Sequence, residues 1–419
     1  MLLGCIADDF TGATDLANTL VKGGMKTIQS IGVPGPEMDI GETDAIVIAL
    51  KSRTNPAHEA IAESLEALAW LRARNVKQVL FKYCSTFDST DQGNIGPVAD
   101  ALLDALKSDF TIACPAFPET GRSIYKGYLF VGDGLLNESG MENHPLNPMT
   151  DANLVRVLQR QTKHKVGLVE YKTVRAGADA IRARFDELRA AGIRHAIVDA
   201  VSDHDLLEIG DAASGLALIT GGSGIALGLP ENFRRQGYLV DQYTPSLPGI
   251  KGRAAVIAGS CSKMTRTQIN RTRELWPSFN VDPRAIADGR DVAGEILAWA
   301  GEQSDAAPIL IYSSAEPDVV SAIQSEYGRE RAGEMVEETM GRVARGLMGL
   351  GVNRIVVAGG ETSGAVVKAL DVHALRIGPE IDPGVPWTEA IGGVPLALAL
   401  KSGNFGAEDF FEKSLGMLP

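Results

Sequence analysis

Cysteine and histidine are scarce in this chain of 419 residues, which has four of the first and six of the second. Cys5, Cys84, Cys114 and Cys261 are far apart, form no Cys-x-x-Cys pair and lie beside apolar runs. That usage points to a reduced, cytoplasmic protein rather than a disulfide framework. The histidines include no His-x-x-x-His pair, which argues against a zinc centre. No apolar run approaches the roughly 18–20 residues that span a bilayer, and the first residues lack the basic segment and apolar core of a signal peptide. Positive charge is in deficit: 40 Lys and Arg against 53 Asp and Glu give a net charge of −13 and speak against nucleic acid or an anionic membrane as partner. A small anionic ligand remains compatible, provided a local cluster of cations receives it. Two familiar nucleotide fingerprints are also missing, the Gly-x-x-x-x-Gly-Lys-Ser/Thr loop and Gly-x-Gly-x-x-Gly. Gly222–Gly228 comes near the second, but its spacing is one residue too long and no acid ends a following strand where a dinucleotide ribose would need it.

What is present is a chain too long for one ordinary core, with the 45% hydrophobic content of a globular protein. Buried-strand runs alternate with helix-patterned segments in both halves, and this predicts an α/β fold in two domains, each with a mainly parallel sheet flanked by helices. The predicted strands of the first half include 26–31, 45–50, 78–82 and 109–114, with a Pro-started helix after Asn55. Residues 115–150, rich in Pro, Gly and Asn, read as a long functional loop or lid. Residues 241–249 lose periodicity and carry two prolines. The expected domains are therefore 1–244 and 253–419.

The chemistry concentrates at predicted strand ends. Cys5-Ile6-Ala7-Asp8-Asp9-Phe10-Thr11-Gly12 reads as strand, sharp turn, helix, with adjacent carboxylates at the carboxyl end of the strand, where open α/β sheets bind ligands. Such a pair can hold a cation or take a proton from a substrate hydroxyl; alternatively, Asp9 or Thr11 caps the helix. Arg53 and Lys82 follow the next buried strands, and Asp88 lies in the Ser/Thr-rich loop beyond. Together with Asp8 and Asp9 they suggest a polar anion pocket, since Arg forks onto carboxylates and Lys offers a mobile point charge. His144 and His195 read as structural. In the second half, the strands before Gly259-Ser260-Cys261-Ser262 and Gly359-Gly360-Glu361-Thr362-Ser363 each lead through small residues into a helix. Small residues let backbone N–H groups approach a phosphate, and the helix start adds a partial positive charge. With Lys401-Ser402-Gly403-Asn404-Phe405-Gly406 after a last apolar strand, these turns point to a nucleotide site.

Several of these stretches, with Phe81–Thr90, Gly93–Pro97, Gly127–Gly132 and Ser139–Pro145, resemble in order the motifs of the four-carbon acid sugar kinases, above all the branch acting on 3-oxo-tetronates. The resemblance spans nearly the whole chain. It implies an N-terminal sugar-acid domain, a C-terminal nucleotide domain, and transfer of the ATP γ-phosphoryl group to the C4 hydroxyl of a four-carbon 3-oxo acid. It assigns Asp8, Asp9, Arg53, Lys82 and Asp88 to the sugar-acid pocket, with Asp8 and Asp9 at the chemistry, and Ser260, Gly359, Gly360, Glu361, Thr362 and Gly403 to ATP. Mg²⁺ is the expected companion of the phosphates, with ligands that no motif fixes. The expected partners are small molecules, with no nucleic acid and no membrane; an assembly of identical chains is compatible with all of this. The competing readings are a threonate or erythronate kinase, a non-catalytic sensor of nucleotide and sugar acid and, weakened by the missing fingerprint, an NAD-dependent dehydrogenase.

Overall fold

The computed structural model describes residues 1–418 other than 39, 145, 241 and 314–327. Asp241 at the head of the proline-bearing connection, Pro145 and Ser314 thus lie outside the described residues. The chain forms two compact units, Met1–Thr244 and a second beginning at Pro245.

The strands of the first unit are β1 (Leu3–Ala7), β2 (Thr27–Ile31), β3 (Ala45–Ala49), β4 (Gln78–Lys82), β5 (Thr111–Cys114), β6 (Arg122–Tyr125), β7 (Tyr128–Val131), β8 (Gly134–Leu135), β9 (Lys165–Val169), β10 (Ile193–Val198) and β11 (Leu218–Gly221). Its main sheet runs β2-β3-β1-β4-β11-β5-β10-β9, parallel throughout. β1, β3 and β4 are apolar over nearly their whole length and fully buried, as strands covered on both faces must be. The chain leaves β1 toward β2 and β3 on one side and returns to β4 on the other, so the carboxyl end of β1 is a topological switch point. Helix α1 (Phe10–Lys22) follows β1, α2 (Ala57–Ala73) follows β3, and α3 (Ile95–Leu106) precedes β5. Pro56 sits at the N-cap of α2 rather than inside it, with ψ of 139° and no side-chain cap bond.

Residues 115–150 are not the loop that their composition suggests. β6, β7 and β8 form a separate antiparallel sheet. Its first turn, Lys126-Gly127, has φ of 51° and 76°, which matches the two-residue hairpin turn that needs two left-handed residues. Asp199, just past β10, accepts the N–H groups of Lys126, Gly127 and Tyr171 at 2.7–2.8 Å and ties this turn to the main sheet. At Gly221, Gly222 and Gly224 a Cβ would meet the carbonyl oxygens of Cys114, Pro115 and Ala116 at 2.3–2.8 Å, so close backbone packing explains that glycine cluster.

The second unit contains β12 (Arg253–Ala258), β13 (Ser278–Asn280), β14 (Ile309–Tyr312), β15 (Val352–Ala358), β16 (Ala374–Asp382), β17 (Val385–Ala390) and β18 (Ala397–Lys401). The order β13-β14-β12-β15-β18 is parallel; β17 and β16, which periodicity did not reveal, extend it antiparallel. Trp387 and the pair Phe410-Phe411 anchor its core, the Trp387 indole donating to the Ser414 carbonyl at 2.9 Å. The fold is thus the α/β arrangement that the alternation predicts. Among the described residues, no helix is long and apolar enough to cross a membrane.

Candidate active site

The register of the first sheet brings the predicted pocket residues together. Ala7 pairs with Ala49 of β3 and with Lys82 of β4, so β1, β3 and β4 stop at one level. Asp8 is the first residue beyond β1. Its N–H bonds the Lys82 carbonyl, and its own carbonyl receives the N–H groups of Ser52 and Arg53. Backbone bonds therefore carry the segment after β3 over the end of β1.

Arg53 is the hub. Its Nε and Nη2 fork onto Asp8 at 2.9 and 2.7 Å, Nη2 also reaches Asp9 at 2.6 Å, and Nη1 lies 3.6 Å from Asp88. The two adjacent acids do different things, because successive residues leaving a strand diverge. Asp9 is the N-cap of α1: its Oδ2 accepts from the Gly12 N–H at 3.1 Å and the Thr11 hydroxyl at 2.9 Å. Its other oxygen takes Arg53, so the capping role and the charged role coexist. Burial works to raise its carboxyl, but Arg53, Lys82, the Gly12 N–H and the Thr11 hydroxyl hold it down at about 2. For Asp8 the balance reverses. Burial lifts its carboxyl above the ordinary range against the pull of Arg53 and, more weakly, Lys82. Environments that push two acids apart in this way mark the better proton acceptor, here Asp8.

Lys82 ends β4 and is 3% exposed. Among the described residues its ammonium has no hydrogen bond or ion pair, although its charge acts on both Asp8 and Asp9. A Cβ at Gly12 would lie 2.8 Å from Nζ and 2.2 Å from Asp9 Oδ1, so glycine there makes room for both groups. A buried cation without a bonded partner suits an incoming anion. Asp88 sits in a strained turn, with φ of 66° at Phe87 and 42° at Asp88, and accepts the Thr86 hydroxyl at 2.9 Å. Consecutive left-handed non-glycine residues cost of the order of 1–3 kcal/mol each and recur at ligand sites. Asp8, Ser52, Arg53, Asp88 and Asn94, over an apolar floor that includes Phe81, line a small recess. Cys84 lies nearby, but burial pushes its thiol up to about 12, so it is no nucleophile at neutral pH.

Asn94 escaped the sequence reading of individual side chains. Its Nδ2 donates to the carbonyls of Ser52, Arg53 and Asn55 at 2.8–3.2 Å and so fixes the loop that carries Arg53. It lies in the Gly93–Pro97 motif, but nothing in spacing could reveal a contact with a segment some 40 residues away. His195 is 1% exposed and bonds Asp100, away from the carboxyl ends of the strands, as a structural histidine does.

In the second unit the nucleotide-type turns also converge. Ala258 pairs with Ala358, and Ala358 with Lys401, so β12, β15 and β18 end side by side. The N–H groups of Gly259 and Ser260 both bond the Ala358 carbonyl, and the Gly359 N–H bonds the Lys401 carbonyl. Gly359, with φ of 128°, opens the helix Gly360–Ala369; Glu361 and Thr362 lie in its first turn, Thr362 buried. A Cβ at Gly259 would fall 2.2 Å from Thr362 Oγ1, one at Gly359 would fall 3.2 Å from the Ser260 nitrogen, and one at Gly403 would fall 2.3 Å from Ser260 Oγ. Ser260, Gly359, Thr362 and Gly403 therefore form one cluster. Ser262 caps the helix Lys263–Thr272, its Oγ accepting from the Thr265 N–H. Helix starts beside backbone N–H groups and hydroxyls favour phosphate.

Comparison with known proteins agrees with this division. Residues 3–229 match the model of a sugar-binding N-terminal domain, and residues 255–411 that of a nucleotide-binding C-terminal domain. A 3-oxo-tetronate kinase of Cupriavidus necator is 62% identical over 421 residues, covering 100% of this chain and 97% of the relative. One from Actinobacillus succinogenes is 47% identical with 100% of both chains covered. Among solved structures, a Haemophilus influenzae protein superposes with a TM-score of 0.80 at 46% identity, over 99% of this chain and 100% of the other. A Salmonella typhimurium LT2 protein, described as a candidate tRNA synthase, gives 0.89 at 44% identity over 100% and 99%.

Proposed function

The chain belongs to the four-carbon acid sugar kinase family, in its 3-oxo-tetronate kinase branch, and we propose that it transfers the γ-phosphoryl group of ATP to the C4 hydroxyl of a 3-oxo-tetronate. The products are ADP and the 4-phosphate. The observation that carries this reading is the opposite treatment of Asp8 and Asp9 beside a cation without a bonded partner, Lys82, in a chain whose other unit gathers three glycine-bearing turns.

In this scheme the acid's carboxylate meets Lys82, whose charge no described side chain already holds by a bond. Arg53 has Nε and Nη2 engaged by Asp8 and Asp9, so it chiefly sets the acids in place and offers the Nη1 side, near Asp88, to the substrate. Asp8 keeps unused lone pairs despite the fork, since a carboxylate offers about four acceptor positions. It orients the C4 hydroxyl and takes its proton as that oxygen bonds to phosphorus and the bond to the ADP oxygen breaks. Phosphoryl transfer needs positioning and neutralisation of charge far more than covalent help. The ATP phosphates lie against the start of the helix Gly360–Ala369 and the hydroxyls of Ser260 and Thr362, where Gly359, Gly360 and Gly403 leave backbone room, with Glu361 at the edge of the same turn. Among the described residues no three His, Cys, Asp or Glu side chains form a metal cage. Mg²⁺ would arrive with the ATP phosphates. Charge neutralisation on the phosphates is the chemistry it would supply there.

The net charge of −13 does not favour carrying the tRNA synthase description of the Salmonella relative over to this chain. Four free thiols, two of them buried, support a cytoplasmic setting. The test is ADP release with a panel of four-carbon acids and the mass of each product. Turnover with a 3-oxo-tetronate above that with threonate or erythronate is expected. A preference for the reduced acids would move the chain to the sister activity, and binding without turnover would make it a sensor.

A further inference from the structure

Lys401 is a lysine in an unusual place. It is the last residue of β18 and its surface is fully buried. Its ammonium donates to Thr265 Oγ1 at 3.0 Å, to the Gly403 carbonyl at 2.9 Å and to the Ser402 carbonyl at 3.1 Å. The Thr265 hydroxyl gives its own proton to the Gly403 carbonyl at 2.7 Å, so toward Lys401 its oxygen acts as acceptor. Three acceptors therefore face Nζ. An ammonium, with three donors, satisfies all of them, whereas a neutral amine has two donors and turns its lone pair against one. Among the described residues no carboxylate is among its partners.

We propose that Lys401 is a positioning residue for the nucleotide and that ATP binding draws a proton to it. The inference rests on the reading of the Ser260–Gly359–Gly403 cluster as the ATP site. The three bonds lash the Ser402-Gly403 backbone to the start of the helix Lys263–Thr272, whose cap, Ser262, belongs to the same cluster. Burial with no counter-charge brings the Lys401 amine down to about 7, so near neutral pH the free protein holds it in both forms. Bound phosphates beside the turn favour the charged form, and by linkage the charged form favours bound phosphates.

The other charged groups on the surrounding elements do not supply an alternative. Arg266 donates to the Cys261 carbonyl, Arg271 pairs with Glu412, and Asp382 holds Lys413 and the Ala407 N–H. Neither these nor Lys263, Arg354, Glu361 or Lys368 is a cause of the Lys401 shift, which is burial alone.

Calorimetric titration of the full chain with MgATP at pH 8, in two buffers of different ionisation enthalpy, reads the protons exchanged. At that pH the nucleotide phosphates are already deprotonated. Uptake of about half to one proton per ATP is expected, with affinity weakening up to about tenfold between pH 8 and 9. Lys401→Met should bind ATP more weakly with no proton uptake and should leave the KM of the acid unchanged. Lys401→Arg keeps a permanent charge and should bind without uptake and without that pH dependence; it decides the matter if the Met variant does not fold. A wild type that takes up no proton, or uptake that persists in a folded variant, overturns the proposal. Gly360→Val separates this from the site reading: if it binds ATP normally, the nucleotide lies elsewhere, whereas weakened binding together with absent uptake condemns the role of Lys401 alone.

Discussion

Removing Arg53 should show how strongly the acid pair depends on one guanidinium. In Arg53→Ala, Asp8 loses a fork at 2.7 and 2.9 Å, Asp9 loses a contact at 2.6 Å, and Asp88 loses a neighbour at 3.6 Å. Breaking one side of a buried pair costs about 3–5 kcal/mol, mostly because the partner charge stays behind. Two features moderate this. The Asp9 side chain keeps 26% of its exposure, and Lys82 still acts on both acids. A loss of about 2–4 kcal/mol at pH 7.5 is therefore expected. The pH dependence has a definite sign. In the parent, Asp9 is held at about 2, below its unfolded value, so it adds stability that is present above pH ~4 and lost as pH falls through about 2. In the variant both carboxyls stay buried without their cation and move upward. A carboxyl raised in the folded state favours folding below its unfolded pKa, and that advantage disappears as pH rises through the folded value. The deficit of Arg53→Ala should thus be largest above pH 7 and shrink toward pH 4.5. Denaturant midpoints for both proteins across pH 4.5–8 measure it. A deficit below about 1 kcal/mol at pH 7.5, or one that does not shrink on acidification, would refute the account of a buried hub. Arg53→Lys should recover only part of the loss, because a point charge cannot reproduce the fork.

The remaining predictions concern the division of labour. Lys82→Met removes a buried charge without a bonded partner, so thermal stability should hold or rise while the KM of the acid increases by about 10- to 200-fold; an unchanged KM would send the carboxylate elsewhere. Asp8→Asn should cut kcat by about 10² or more with little change in KM, and the acid limb of the parent's kcat profile should lie above the ordinary Asp value. Asp9→Asn keeps a good cap and should cost less in kcat than Asp8→Asn; equal losses would dissolve the distinction drawn between the two acids. Gly359→Ala forces a side chain onto a φ of 128° beside Ser260, a strain of about 1–3 kcal/mol that should appear as a raised KM for ATP with the KM of the acid unmoved, measured by steady-state kinetics.

How much of this was legible in the sequence depends on how local each signal is. Buried strands announce themselves as short apolar runs, and a turn after a strand shows as small or acidic residues, so Asp8, Asp9, Ser260 and the Gly359-Gly360 turn could be named from neighbours along the chain. That Arg53 and Lys82 would share an edge with the acids also followed, because parallel strands in register stop at one level. Other features rest on distances that only folding sets. β6–β8 escaped notice because antiparallel pairing of short strands leaves little periodicity, and proline and glycine in the same stretch read as loop. Which cation is engaged and which is not was undecidable from composition, since Arg53 and Lys82 occupy equivalent strand ends. The tertiary structure gives three carboxylates to Arg53 and, among the described residues, no bonded partner to Lys82. The split between Asp8 and Asp9 likewise arises from burial and from the Gly12 and Thr11 donors that reach only one of them. Lys401 shows in sequence only as the head of the last nucleotide-type turn; it is buried because β18 lies between β15 and β17, beneath the turn whose carbonyls it binds. Sequence fixes which groups are available and where each strand and turn begins, while solvation and charge pairing are properties of the packed fold, and those decide what each group can do.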